Sequence, residues 1–312
     1  VTLFASGDSM TRATLCPVGE VAIRLDETCI DPWARHIVLL EQVLRRTSDF
    51  DVIHFHVDYL HFPLVRRINT PTITTLHGRL DIPDLVPLYR EFYDIPLVSI
   101  SDAQRTPLSW ANWQGTVYHG LPRGLHRFQP HRGHYLAFLG RICPEKRVDR
   151  AIEIARRAGM RLKIAAKVDK ADQNYFQSEI APLLKDPLVE FIGEIGEGEK
   201  DAFLGNAYAT LFPIDWPEPF GLVMIEAMAC GTPVVAYRCG SVPEVMEDGV
   251  TGYVVDSLEE AVSAVERVGE LDRHRCRQVF EERFSVSHMA NHYLDVYERQ
   301  LQGKVVSIQR AS

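Results

Sequence analysis

The sequence predicts an α/β protein built of two doubly wound parallel-sheet domains, and three observations carry that expectation. Short apolar runs rich in Val, Ile and Thr alternate with helical patterns along almost the whole chain, as in parallel sheets covered by helices. With 312 residues, 46% of them hydrophobic, the chain can build two ordinary cores. The segment HGLPRGLHRFQPHRGH, residues 119–134, breaks the alternation with Gly, Pro, Arg and His, which marks a linker. The expected plan is therefore a first domain over 1–122, a second over 123–286, and a closing segment, 287–312, whose helix crosses back to the first domain.

In chain order, strands are expected at 1–5, 51–55, 71–76, 96–100 and 116–119, then at 135–139, 161–166, 188–192, 209–213, 233–237 and 253–255. The chain opens on Val1 inside an apolar run, so a preceding segment carrying the first strand and its glycine-rich loop is expected. A helix is expected over 32–47, with Asp31 as N-cap and Pro32 at the first helical position. Ser101 to Gln104, Ser241 to Glu244 and Ser257 to Glu260 have the spacing of capping boxes. Trp33, Trp110 and Trp113 are expected in the core or at a domain edge.

Composition excludes several classes. A net charge of −8 argues against nucleic acid as the main partner, since that work needs a clustered basic face. Six cysteines without a CxxC pair give neither a zinc knuckle nor a disulfide framework and fit a reducing cytoplasm. No run of 18 apolar residues is present, so no membrane-spanning helix is expected. Arg45, Arg46, Arg66 and Arg67 decorate helix ends, with peripheral contact to a membrane surface as the second reading. His54, His56 and Asp58 alternate on a strand in a metal-like HxHxD spacing, but no further ligand set accompanies them, and no metal is expected.

In open parallel sheets ligands sit beyond the carboxyl ends of the strands. Those positions hold His77, Arg141, Lys167, Gly193, Glu194 and Glu218. GRICPEKR joins a strand to the helix VDRAIEIARRAG, so Arg141, Lys146 and Arg147 stand near a helix N-terminus, where free N–H groups and the helix dipole suit a phosphate. In WPEPFGLVMIEAMACGTPVVAY, a helix from about Phe220 to Cys230 is apolar almost all round yet contains Glu226 and is entered by Glu218. A buried carboxylate is costly unless bonded, so Glu226 is expected to hold a ligand hydroxyl or a fixed partner. Eight helical steps would set the two glutamates roughly 12 Å apart, outside the roughly 5 to 9.5 Å of hydrolytic carboxylate pairs.

The combination of GRxxxEK (Gly140 to Lys146), EPFGxxxxEAMACGxPVVA (Glu218 to Ala236) and GSVPEVMEDGVTGYVV resembles the C-terminal half of family-four (group 1) retaining glycosyltransferases of the GT-B fold. DVIHFH, TITTLHG, VSISDAQR and VYHGLP match the N-terminal half more loosely. The resemblance implies two Rossmann-like domains facing across a cleft. It implies transfer of a hexose from a UDP- or GDP-sugar to a saccharide, lipid-linked or small-molecule acceptor, with retention and with no cofactor or metal.

Carried over residue by residue, the resemblance implies that Arg141 and Lys146 bind the donor pyrophosphate, beside Gly140. Glu226 would hold the ribose hydroxyls. Glu218 and the backbone N–H groups of Phe220, Gly221 and Leu222 would hold the hexose. Gly193, Glu194 and Ile195 would lie near the base, and His77 would face the donor sugar. The sequence departs from the family pattern in HGLP (His119 to Pro122), where NG(I/V)D is usual, and in AAKVD (Ala165 to Asp169), where GxG is usual. A non-catalytic nucleotide-sugar binding module and a nucleotide-sugar epimerase are the rival readings.

Overall fold

The computed structural model describes residues 1–311, with side chains to residue 302. By its internal contacts the chain divides into Val1–Thr75 joined by residues from Tyr297 onward, and Leu76–Val296.

In the first unit, β1 (Thr2–Ala5) pairs in parallel with β2 (Thr14–Pro17). The second of these strands escapes the sequence pattern because TLCP is short and ends in proline. Helix α1 (Pro32–Leu44) starts where expected: the Asp31 carboxylate accepts from the N–H groups of Trp33 and Ala34. It buries Leu40 and Val43, while Trp33, at 60% exposure, does not take the core place of the two expected for it. Arg45 pairs with Glu41 and Arg46 with Asp49, so two of the four arginines read as surface decoration carry compensated charge. β3 (Ile53–Phe55) pairs in parallel with β4 (Thr72–Thr75). Both ring nitrogens of His54 are engaged, Nδ1 with the Tyr297 hydroxyl and Nε2 with Thr75 Oγ1, each at 2.7 Å. That imidazole is a structural link.

In the second unit the helix Leu85–Glu91 precedes β5 (Leu97–Ser99), which pairs in parallel with β6 (Trp113–Thr116). The latter lies about three residues earlier than expected; its register shifts beside Leu97, and the Trp113 indole is tied to Leu108 O at 2.9 Å. A six-stranded parallel sheet follows: β7 (Tyr135–Arg141), β8 (Arg161–Lys167), β9 (Val189–Gly193), β10 (Ala209–Phe212), β11 (Val234–Tyr237) and β12 (Gly252–Val255). Its spatial order is β12-β11-β10-β7-β8-β9, which is the doubly wound 3-2-1-4-5-6 order read from one edge. All four residues of β10 and of β11 are buried, as central strands covered on both faces require.

Among the longer helices, after α1 come α2 (Val148–Ala158), α3 (Glu197–Gly205), α4 (Leu222–Ala229), α5 (Leu258–Arg267), α6 (Arg273–Arg283) and α7 (Val286–Ala311). Ser257 caps α5 by accepting from Glu260 N, as its spacing predicts. No described helix is long and apolar enough to cross a membrane.

Candidate functional site

The strand order reverses between β7 and β10, so a crevice opens beyond their carboxyl ends, where doubly wound sheets bind ligands. Two adjoining cavities lie there, sharing Leu139, Gly140, Leu222 and Val223 as walls. The first, of about 140 Å³, is lined by Lys146, Glu218 and Gly221. The second, of about 310 Å³, is lined by Glu194, Ile195, Lys200 and Glu226 together with Ala165 to Lys167.

In the first cavity the Lys146 ammonium donates to Glu218 Oε2, and the Trp216 indole N–H donates to the same oxygen at 3.1 Å. Lys146 Nζ also lies 5.1 Å from the centre of the Trp216 ring and 5.7 Å from that of Phe212, so two aromatic faces share its charge. Lys146 ends a short 3₁₀ turn, and the next residue, Arg147, takes a left-handed backbone with φ of 52° to start α2. Arg147 is held by Asp149 and Asp215, leaving Lys146 as the cation of that loop that faces the cavity.

The second cavity contains the pairing that the buried Glu226 demanded. Lys200 Nζ lies 2.7 Å from Glu226 Oε1 and 2.8 Å from Glu197 Oε2. Burial pulls the Lys200 pKa down, but hydrogen bonds to Glu197 and Glu226 outweigh it and hold the ammonium above its ordinary value. One oxygen of Glu226 thus has a fixed partner, and a carboxylate retains further acceptor capacity.

Helix α4 begins at Leu222, not Phe220, and Glu218 stands in the loop before it. The 12 Å separation expected from eight helical steps therefore does not follow. The loop has its own supports. Gly221 has φ of +81°, and a Cβ there would fall 2.7 Å from Met224 Cε. Ser241 donates its hydroxyl to Phe220 O at 2.8 Å and its N–H to Glu218 O at 3.0 Å. That corrects the reading of Ser241 to Glu244 as a capping box: the serine is turned onto the glutamate loop, while Glu244 accepts from the N–H groups of Asp102 and Ala103 at 2.7 and 2.6 Å.

His77 is exposed, and its ring stacks on His119 at 5.3 Å; His119 meets Phe220 edge-on at 5.0 Å. Gln104 brackets this histidine, donating from Nε2 to Leu76 O and Gly78 O at 3.0 and 2.9 Å. Of the residues singled out from sequence, Gly140, Lys146, Glu218, Gly221, Leu222, Glu194, Ile195 and Glu226 line the two cavities. Arg141 does not: half-exposed, it leans toward Asp169 at 3.4 Å and Asp172 at 3.9 Å. Gly193, Phe220 and His77 also stand outside the linings. Lys200 and Gln104 were not foreseen, since each acts on partners distant in sequence; nor was Trp216, whose indole N–H supports Glu218 from two residues away.

Residues 127–282 match the family model described as "Glycosyl transferases group 1". The chain belongs to this glycosyltransferase family. It is 30% identical over 186 residues to the α-maltose-1-phosphate synthase of Mycobacterium tuberculosis, a match covering 52% of this chain and 47% of that one. It is 36% identical over 133 residues to the D-inositol 3-phosphate glycosyltransferase of Mycolicibacterium smegmatis, covering 39% of this chain and 29% of that one. The chain thus spans less than half the length of these curated relatives.

Among solved structures, AviGT4, a glycosyltransferase involved in avilamycin A biosynthesis, is similar with a TM-score of 0.68 and 25% identity, covering 85% of this chain and 78% of that one. Anabaena Alr3699/HepE, solved in complex with UDP and glucose, has a TM-score of 0.70 at 18% identity, covering 91% and 86%. The fold of the chain is GT-B, with Rossmann-like parallel-sheet domains.

Proposed function

We propose that this chain transfers a hexosyl group from a UDP- or GDP-sugar to a saccharide, lipid-linked or small-molecule acceptor with retention of configuration. The observation that carries the reading is the pair of adjoining cavities at the strand-order reversal, each holding a lysine bonded to a glutamate. In the reaction the bond from the anomeric carbon to the diphosphate oxygen breaks, and the acceptor oxygen bonds that carbon on the same face. The nucleoside diphosphate leaves, and the acceptor's proton goes to the leaving phosphate.

Lys146 and Arg141, with Gly140 beside them, stabilise the leaving diphosphate as its charge grows. Arg141 is half-exposed, with contacts of 3.4 Å to Asp169, 3.9 Å to Asp172 and 3.7 Å to Cys143 Sγ, all long enough for it to turn toward phosphate. Glu226 accepts from the ribose hydroxyls, and Gly193, Glu194 and Ile195 border the base. Glu218 and the backbone N–H groups of Phe220, Gly221 and Leu222 take the hexose, at the end of α4 where N–H groups lack helical partners. His77 faces the donor sugar. The domain plan of 1–122 for acceptor, 123–286 for donor and 287–312 as the returning helix belongs to this proposal, as does a cytoplasmic setting with peripheral contact to the membrane. The UDP and glucose held by the similar Anabaena structure support the choice of donor class.

Screening UDP-, GDP- and ADP-sugars by thermal unfolding tests the donor, because a ligand at a hundred times its dissociation constant adds about 2.7 kcal/mol. A bound donor should also be slowly hydrolysed to free sugar; binding without release favours the binding-module reading. Glu226→Gln is expected to weaken bare nucleoside diphosphate and intact donor alike, by about 1.5–3 kcal/mol. Glu218→Gln should weaken the intact donor far more than the bare nucleotide. Equal losses for both variants on both ligands would remove the division between ribose and hexose carboxylates.

A further inference from the structure

His126, from the irregular segment 119–134, stands outside the linings of the two cavities. Its side chain is buried at 2% exposure, and its Nδ1 lies 2.8 Å from Asp201 Oδ1. The other ring nitrogen, Nε2, is buried with no hydrogen-bond partner. It lies 3.7 Å from Glu197 Oε1, beyond hydrogen-bond distance. Ligand atoms of His126, Glu197 and Glu226 all lie within 4.8 Å of one another.

We propose that His126 Nε2, Glu197 and Glu226 form a binding site for a divalent transition-metal ion of the Zn²⁺ class. A histidine that gives one N–H to a carboxylate presents the lone pair of its other nitrogen, and metal-ligating histidines are oriented in this way. Asp201 does that here, and the orphaned nitrogen points toward the two glutamates. One imidazole with two carboxylates suits Zn²⁺ with a position left for water; Mg²⁺ and Ca²⁺ prefer oxygen ligands alone.

Lys200 bridges the same two glutamates. Its ammonium supplies the positive charge that the carboxylates need, and its long flexible stem lets it leave when a dication enters. Metal and lysine therefore compete for one place. An ion there would engage Glu226, so that metal and donor exclude each other; this consequence rests on the proposed role of Glu226, whereas the site itself does not.

The test is calorimetric titration of the whole chain with Zn²⁺ in buffer free of phosphate and chelators, with the visible spectrum of bound Co²⁺ as a second readout. One saturable equivalent is expected. His126→Gln and Glu197→Gln should each abolish it, Asp201→Asn should weaken it on the order of tenfold to a hundredfold, and Lys200→Met should tighten it. Circular dichroism checks the fold of each variant, and Glu197→Gln, at a half-exposed side chain, remains decisive if His126→Gln misfolds. Absence of a saturable equivalent, survival of it in Glu197→Gln as an adventitious ion only, or weaker binding in Lys200→Met would each overturn the proposal.

Discussion

Lys146→Ala should slow turnover on the order of a hundredfold to a thousandfold while leaving donor affinity measurable. In the resting site the ammonium is already compensated by Glu218, the Trp216 face and the Phe212 face. Its ground-state contact with a diphosphate therefore adds little beyond an exchange of partners. As the glycosidic bond breaks, charge accumulates on the leaving oxygens, and a contact that strengthens along that path raises the rate rather than the affinity. A charged hydrogen bond contributes roughly 1.5–3 kcal/mol, which bounds the loss of binding. Removal of the ammonium also leaves the Glu218 carboxylate with the Trp216 N–H as its side-chain partner among the described residues, so the intact donor should lose more affinity than the bare nucleotide. Donor hydrolysis serves as the assay until the acceptor is known. A raised Michaelis constant with unchanged turnover would show that the lysine only binds.

The carboxyl-terminal sheet was legible because its strands carry short, mostly apolar stretches of ordinary length, such as YLAFL and the IAA of RLKIAAK, punctuated by Gly and Pro. Glu226 announced itself for a related reason: a carboxylate in an otherwise apolar helix has to meet something. What it meets was not legible. Lys200 lies 26 residues earlier on α3, where a lysine among glutamates reads as a solvated face. Ser241 misled in the opposite way, for its spacing from Glu244 fits a capping box, yet tertiary contacts turn the two side chains to different elements. The strand-end place of Arg141 is legible in the sequence, but the direction of its long side chain, which leans on Asp169 and Asp172, is not.

Gly240→Ala should cost about 2–5 kcal/mol of stability and most of the activity, because it combines left-handed strain with a backbone collision. The residue has φ of +54°, and a Cβ there would lie 2.4 Å from both the N and the O of Glu218. Neither atom belongs to a flexible side chain, so the 217–218 backbone would have to move. Ser241, the next residue, anchors that loop through Glu218 O and Phe220 O, and the displacement would be passed to the carboxylate that Lys146 holds. Glu226 and Lys200 stand on other elements, so affinity for a bare nucleoside diphosphate should stay within a few-fold. Gly159→Ala supplies the control. It too has positive φ, +63°, but nothing lies within 4 Å of its Cβ position, and it should show only the strain, about 1–2 kcal/mol, with donor hydrolysis intact. Denaturant unfolding of both variants, with hydrolysis and nucleotide titration in parallel, measures the difference. If the two substitutions destabilise equally and both keep full activity, the close approach of Gly240 to Glu218 does not govern the site.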